Sequence, residues 1–96
     1  MAIGVQLDFP GATLEQYDEV IKKMGLDKGQ GTPPGALFHW VTKTDEGLCV
    51  IDVWESREAF DKFSEEQIMP ITQEVGLAAP SNVEFHDVHN FLIRGG

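Results

Sequence analysis

The stretch Leu48-Cys49-Val50-Ile51-Asp52-Val53-Trp54 is apolar at all but one position, so a strand formed from it presents oily side chains on both faces. Cys49, Ile51 and Val53 fall on one face, and Leu48, Val50, Asp52 and Trp54 fall on the other. Ser56 follows almost at once as the cap of a helix carrying Ala59, Phe60 and Phe63. A two-faced strand needs cover above and below, and a helix joined to it this tightly can supply only one side.

The first half of the chain has the same plan. Ile3, Val5, Leu7 and Phe9 alternate with Ala2, Gly4, Gln6 and Asp8, which makes a strand with one strongly apolar face, ended by Pro10-Gly11. Thr13 and Gln16 have capping-box spacing, and Leu14, Tyr17, Ile21 and Met24 form a helical stripe expected to face the sheet. Asp18 with Lys22 and Glu19 with Lys23 are favourable pairs on the solvated side. Met24-Gly25-Leu26 closes this helix, as Val75-Gly76-Leu77 closes the second. Pro70 lacks an N–H and clashes with the preceding turn, which predicts a break near Met69 and a restart at Pro70.

Between the halves, a strand from Ala36 to Thr42 turns through Asp45, Glu46 and Gly47 into the two-faced strand, and a last strand runs from Val83 to about Ile93. The order β-α-β-β-α-β with right-handed crossovers predicts one α+β, ferredoxin-like domain over residues 1–96. Its four-stranded antiparallel sheet would carry both helices on one face. A chain of 96 residues buries only roughly 60 to 65% of the surface its unfolded form exposes, so a partner subunit would help. If Cys49, Ile51 and Val53 pack under the helices, Leu48, Val50 and Trp54 are left in water, and a second copy is the simplest cover. Two such sheets face to face make an eight-stranded barrel able to hold one small ligand.

In length, in element order and in Val53-Trp54-Glu55-Ser56 followed by Ala59-Phe60, the chain resembles the dimeric α+β barrel superfamily, specifically its small antibiotic-biosynthesis-monooxygenase-like domains. The resemblance implies a homodimer and a pocket lined by the junction tryptophan, here Trp54. It also brings in the cofactor-independent quinone-forming oxygenases, and it sets Gln6 where some of those enzymes place an asparagine on the first strand. The haem-degrading branch carries a histidine on the second helix, and Arg57 to Val75 contains none. The superfamily includes members without established catalysis, so the resemblance speaks to pocket and dimer more than to reaction.

Among residues able to do chemistry, Gln6 and Asp8 share one side of the first strand and are expected to neighbour Asp52 and Trp54, a polar patch in an apolar barrel. A carboxylate there has its charged form disfavoured, so Asp52 is a candidate proton acceptor from a phenol or enol; the alternative is a carboxylate pairing across the dimer or meeting water. His39 alternates with Leu37 and Val41, and Phe38 and Trp40 take the other face; both faces are apolar, and His39 is placed in the lumen as a second candidate acid or base. His86 and Asn90 share a face and are ligand-binding candidates, or equally exposed edge residues. His86 and His89, three apart on a strand, point to opposite faces and cannot share a metal. No metal and no cofactor is expected.

Other features exclude more than they assign. A net charge of −9 without a basic stripe repels phosphate backbones and anionic lipid, so nucleic acid and membrane are not expected partners. The start Met1-Ala2-Ile3-Gly4-Val5 lacks the pattern of a secretion signal, which makes the cytoplasm the default expectation. The lone Cys49 is expected in the core. The loop Gly29-Gln30-Gly31-Thr32-Pro33-Pro34-Gly35 follows a helix and has no lysine, so it is a pocket lid or a linker rather than a phosphate cradle. Leu92-Ile93-Arg94-Gly95-Gly96 ends like a ubiquitin-like modifier, but the element order is not a β-grasp, and the tail reads as a frayed end. The expected function is a homodimeric barrel for a small apolar or aromatic ligand, acting as a cofactor-independent monooxygenase on aromatic or polyketide-like substrates. Two alternatives stand beside it: a non-catalytic or stress-associated binding barrel, and a lyase or isomerase moving protons in the same lumen.

Overall fold

The computed structural model describes residues 2–27 and 31–92. β1 (Ile3–Pro10) buries Ile3, Val5, Leu7 and Phe9, as its alternation predicts. In α1 (Leu14–Lys23), Thr13 Oγ1 accepts the Gln16 N–H at 3.1 Å while Gln16 Oε1 accepts the Thr13 N–H at 3.0 Å, completing the capping box. β2 (Ala36–Lys43) and β3 (Gly47–Trp54) form the hairpin, closed by the Thr44 N–H on the Gly47 carbonyl at 2.8 Å. The Ser56 hydroxyl caps α2 (Arg57–Phe63) by accepting the Ala59 N–H at 3.1 Å.

A π-helical turn, Ser64–Ile68, connects α2 to α3 (Met69–Val75). The widened turn puts Pro70 in the first turn of α3, where a missing N–H costs no hydrogen bond, so the proline restarts the helix without cutting the chain's path. Both helical arms end alike. The N–H groups of Leu26 and Leu77 reach back to the carbonyls of Ile21 and Thr72, at 3.0 and 2.9 Å. β4 (Asn82–Asp87) is shorter than the sequence suggests: His89 and Asn90 lie past its end, and Ile93 to Gly96, with the diglycine tail, fall outside the described residues.

The sheet order is β2-β3-β1-β4 with every pairing antiparallel, so the fold is the expected α+β, ferredoxin-like plan with its helices on one face. The register overturns the expected facing of β3. Ile3, Val5, Leu7 and Phe9 lie directly opposite Trp54, Asp52, Val50 and Leu48, so the apolar face of β1 takes those four residues under the helices with it. Cys49, Ile51 and Val53 occupy the face the helices leave uncovered, where Cys49 is half-buried rather than in the core. In α1 the fully buried residue is Val20; Tyr17, Ile21 and Met24 are half-buried, and Leu14, expected to face the sheet, is 46% exposed.

Trp54 is 1% exposed and packs against Phe60 and Phe63, at centroid distances of 5.7 and 5.3 Å. Gly35, at φ 88, lies beside its ring, and a Cβ there would stand 3.6 Å from Trp54 Cε3 and 2.8 Å from the Ala59 Cβ. Gly35→Ala combines this overlap with a backbone conformation that alanine resists. It is expected to destabilise the fold by about 1–3 kcal/mol in denaturant titration, with Trp54 emission shifted to the red.

Candidate functional site: a tyrosine-histidine-aspartate chain under the helices

Asp52 is 6% exposed, and both its oxygens are occupied. Oδ2 accepts the indole N–H of Trp54 at 3.1 Å, and Oδ1 lies 2.5 Å from His39 Nδ1. His39 stands across from Asp52 in the β2–β3 ladder, and its Nε2 is 2.5 Å from the hydroxyl of Tyr17 on α1. The two rings are nearly parallel, 8° between planes. An ionised carboxylate can only accept, so the network assigns the proton to His39 Nδ1 and leaves Nε2 to accept from Tyr17. Trp54, Asp52, His39 and Tyr17 thus form one line running from the core to the cavity wall.

That wall borders a mostly apolar, half-open cavity of about 160 Å³, lined by Tyr17, Ile21, Leu26, Thr32, Pro33 and Ala36 together with His39, Asp52 and Trp54. A smaller hollow of about 80 Å³ lies deeper, sharing Tyr17, Ile21, His39 and Asp52 and reaching Leu48 and Leu77. Of the loop proposed as a lid, Gly31, Thr32 and Pro33 do line the cavity, whereas Gly29 and Gln30 fall outside the described residues. A larger hollow, about 500 Å³, is at the hairpin end among Asp8, Asp45 and Glu46, and none of the four linked residues touches it.

His39, Asp52 and Trp54, singled out in the sequence, are therefore brought together, but beneath this chain's own helices instead of in a lumen facing a partner. Gln6, Asp8 and His86 are not with them. Strand alternation puts those three on the uncovered face, on the other side of the sheet from Asp52. There the Asn82 amide reaches Asp8 at 3.0 Å and Glu84 at 2.6 Å, Gln6 reaches Asp8 at 3.3 Å, and His86 lies 3.4 Å from Glu84. The Asn82 amide is the main cause holding the Asp8 carboxyl below its ordinary value, and burial pushes the nearby Cys49 thiol up. Asn90 is exposed beyond β4 and shares nothing with this group.

Tyr17 is the member that sequence reasoning missed, having been read as one more apolar residue of the helix stripe. Its signal was present: a tyrosine on a core-facing stripe brings a hydroxyl that must find a partner. Among the described residues no group of three or more histidine, cysteine, aspartate and glutamate side chains is placed to hold a metal ion.

Burial, then the Asp52 and Asp18 carboxylates, push the Tyr17 phenol up to about 12 from the usual 10.0. Tyr17 is the only tyrosine in the chain, so a spectrophotometric titration reads it alone. Absorbance at the phenolate band is expected to rise near pH 12, and Asp52→Asn is expected to bring the midpoint down. Because the folded state holds this proton more tightly than the unfolded state, the stabilisation is intact below pH 10 and is lost as pH rises through 10 to 12.

No family model and no curated protein matches the sequence. Solved structures do match it. A Chloroflexus aurantiacus J-10-fl structure described as an antibiotic biosynthesis monooxygenase is 22% identical, with 97% of this chain and 99% of that one covered at a TM-score of 0.59. SnoaB, a cofactor-independent oxygenase from Streptomyces nogalater, is 14% identical over 95% of both chains at a TM-score of 0.62. A Deinococcus radiodurans structure with the same monooxygenase description is 13% identical over 100% of both chains at a TM-score of 0.56. At these identities the likeness is one of backbone, and it extends over nearly the whole chain. In fold, then, this chain is similar to structures described as antibiotic biosynthesis monooxygenases and to a cofactor-independent oxygenase.

Proposed function

We propose that the cavity under the helices binds a small, mostly apolar molecule with a weakly acidic hydroxyl, and that the protein oxygenates this molecule without a bound metal or flavin. The reading rests on the 2.5 Å contact between His39 Nδ1 and the buried Asp52, which aims Nε2 at Tyr17 and the cavity. Tyr17 keeps its proton at neutral pH, so it acts as a conduit and not as a tyrosinate base. The substrate hydroxyl gives its proton to the Tyr17 oxygen as Tyr17 passes its own to His39. Asp52 then pairs with the imidazolium that results.

The phenolate left behind can reduce O2. The ring C–H para to its oxygen becomes C=O, one oxygen atom enters the ring, the other leaves as water, and no further reductant is needed. Trp54 holds Asp52 in place and walls the site. A likeness in fold to a cofactor-independent oxygenase supports this chemistry. A cavity of about 160 Å³ suits one aromatic ring, since an apolar cavity of roughly 150 Å³ holds benzene; a fused polyketide would exceed it.

The sheet face away from the helices carries Phe38, Trp40 and Ile51 side by side around the buried Val53, with Trp40 44% exposed, next to the polar group around Asp8. We propose that a second copy covers it, making a homodimer. The dimer would support the sheet from outside, and the chemistry would stay inside each chain.

Two measurements test these statements. Oxygen uptake by metal-free protein with phenol, 3-methylphenol and 4-unsubstituted 3-alkylphenols is expected to exceed the uncatalysed rate, and His39→Ala is expected to lower kcat by about 10²–10⁴-fold. Uptake no faster than buffer across the panel would remove the oxygenase reading and leave a binding domain; turnover that ignores oxygen concentration would point to a lyase or isomerase. In sedimentation the wild type is expected as a dimer and the Trp40→Glu, Ile51→Glu variant as a folded monomer. A wild-type monomer would discard the second copy.

A further inference from the structure

We propose that the substrate head group bound at Tyr17 carries an unbranched hydrocarbon tail, which runs under α3 into a second apolar groove. This rests on the reading of the relay given above and extends it. The groove, about 370 Å³, lies between α3 and β4 and is separate from the relay cavity. The small hollow of about 80 Å³ lies between the two and borders both. On one side it shares Tyr17, Ile21, His39 and Asp52 with the relay cavity, and on the other it shares Leu7, Phe9, Ile68, Thr72 and Leu77 with the groove. Three hollows therefore follow one another beneath the helices, with the narrowest in the middle.

The lining sets the chemistry of the occupant. Among the described residues no lysine or arginine lines any of the three hollows, so there a carboxylate or phosphate head would meet Asp52 and dipoles, whereas a neutral hydroxyl fits the relay. Along the groove the polar groups are few, and the Thr72 hydroxyl is already occupied by the Met69 carbonyl at 3.2 Å. At the mouth, Met69 and Val83 are 53% and 41% exposed, apolar surface that a tail would cover. Ile68 and Leu77 stand at the constriction, and a rotamer change in either side chain opens it without breaking a backbone hydrogen bond. A branched or fused substrate would not pass the middle hollow, and a chain one methylene wide would.

The test is calorimetric binding of phenol and of 3-methyl-, 3-butyl- and 3-octylphenol to the full-length protein. Affinity is expected to rise about fourfold per methylene until the groove is filled. Leu77→Trp, and Thr72→Phe as a second block should the first fail to fold, are expected to leave phenol and 3-methylphenol within twofold of wild type while abolishing the gain of the octyl compound. Equal affinity of wild type for the methyl and octyl compounds would overturn the proposal. So would a gain that survives both blocks, since the tail would then lie elsewhere, such as on the uncovered sheet. If phenol and 3-methylphenol themselves fail to bind, the head-group site fails first, and the tail proposal falls with it.

Discussion

The buried carboxylate of Asp52 is the constraint around which the rest is arranged. Placed under two helices, it loses water on both oxygens, a desolvation cost of several kcal/mol unless each is met by a donor. Trp54 and His39 meet them, and each is itself fixed by doing so. The indole is held against Phe60 and Phe63, which seats α2 on the sheet. The imidazole is turned so that its other nitrogen reaches Tyr17, which ties α1 to β2. One acid thus links the packing of both helical arms to the orientation of a proton-carrying chain, and among the described residues no buried side-chain donor or acceptor is left without a partner. Replacing Asp52 by an apolar residue would strand the Trp54 indole N–H in the core, at about 1–3 kcal/mol, as well as freeing the part-exposed His39 imidazole and disarming the chain.

Much of the backbone could be read from the residues. Thr13 with Gln16 and Ser56 with Ala59 are local devices whose hydrogen bonds form within a few residues, so they need no tertiary context. The glycine terminators at Gly25 and Gly76 behave likewise. Pro70 shows the limit of such reasoning. The proline does begin a helix, but the preceding turn widens to accommodate it, an outcome that depends on what α2 and α3 pack against.

The facing of β3 was not legible, and the reason is specific. Both of its sides are apolar, so alternation cannot choose between them, and the choice falls to the register against β1, a strand that is not its hairpin partner. A slip of one residue in that pairing would exchange Trp54 and Asp52 for Val53 and Ile51 under the helices. The same parity separates Gln6, Asp8 and His86 from the relay. His39 could be placed with Asp52 only through its position in the β2–β3 ladder, and Tyr17 only through the packing of α1 over that ladder.

By itself, then, the sequence determined what is local: the caps, the alternation of β1, the order β-α-β-β-α-β, and the presence of an acid and an indole two residues apart at a strand end. Those follow from hydrogen bonds and periodicities that span a few residues. Only the tertiary structure decided which side of β3 enters the core, that Tyr17 belongs with His39 and Asp52, and that the cavity lies inside the chain. Each of these depends on strand register and helix seating, which bring together side chains as far apart in sequence as Tyr17 and Asp52.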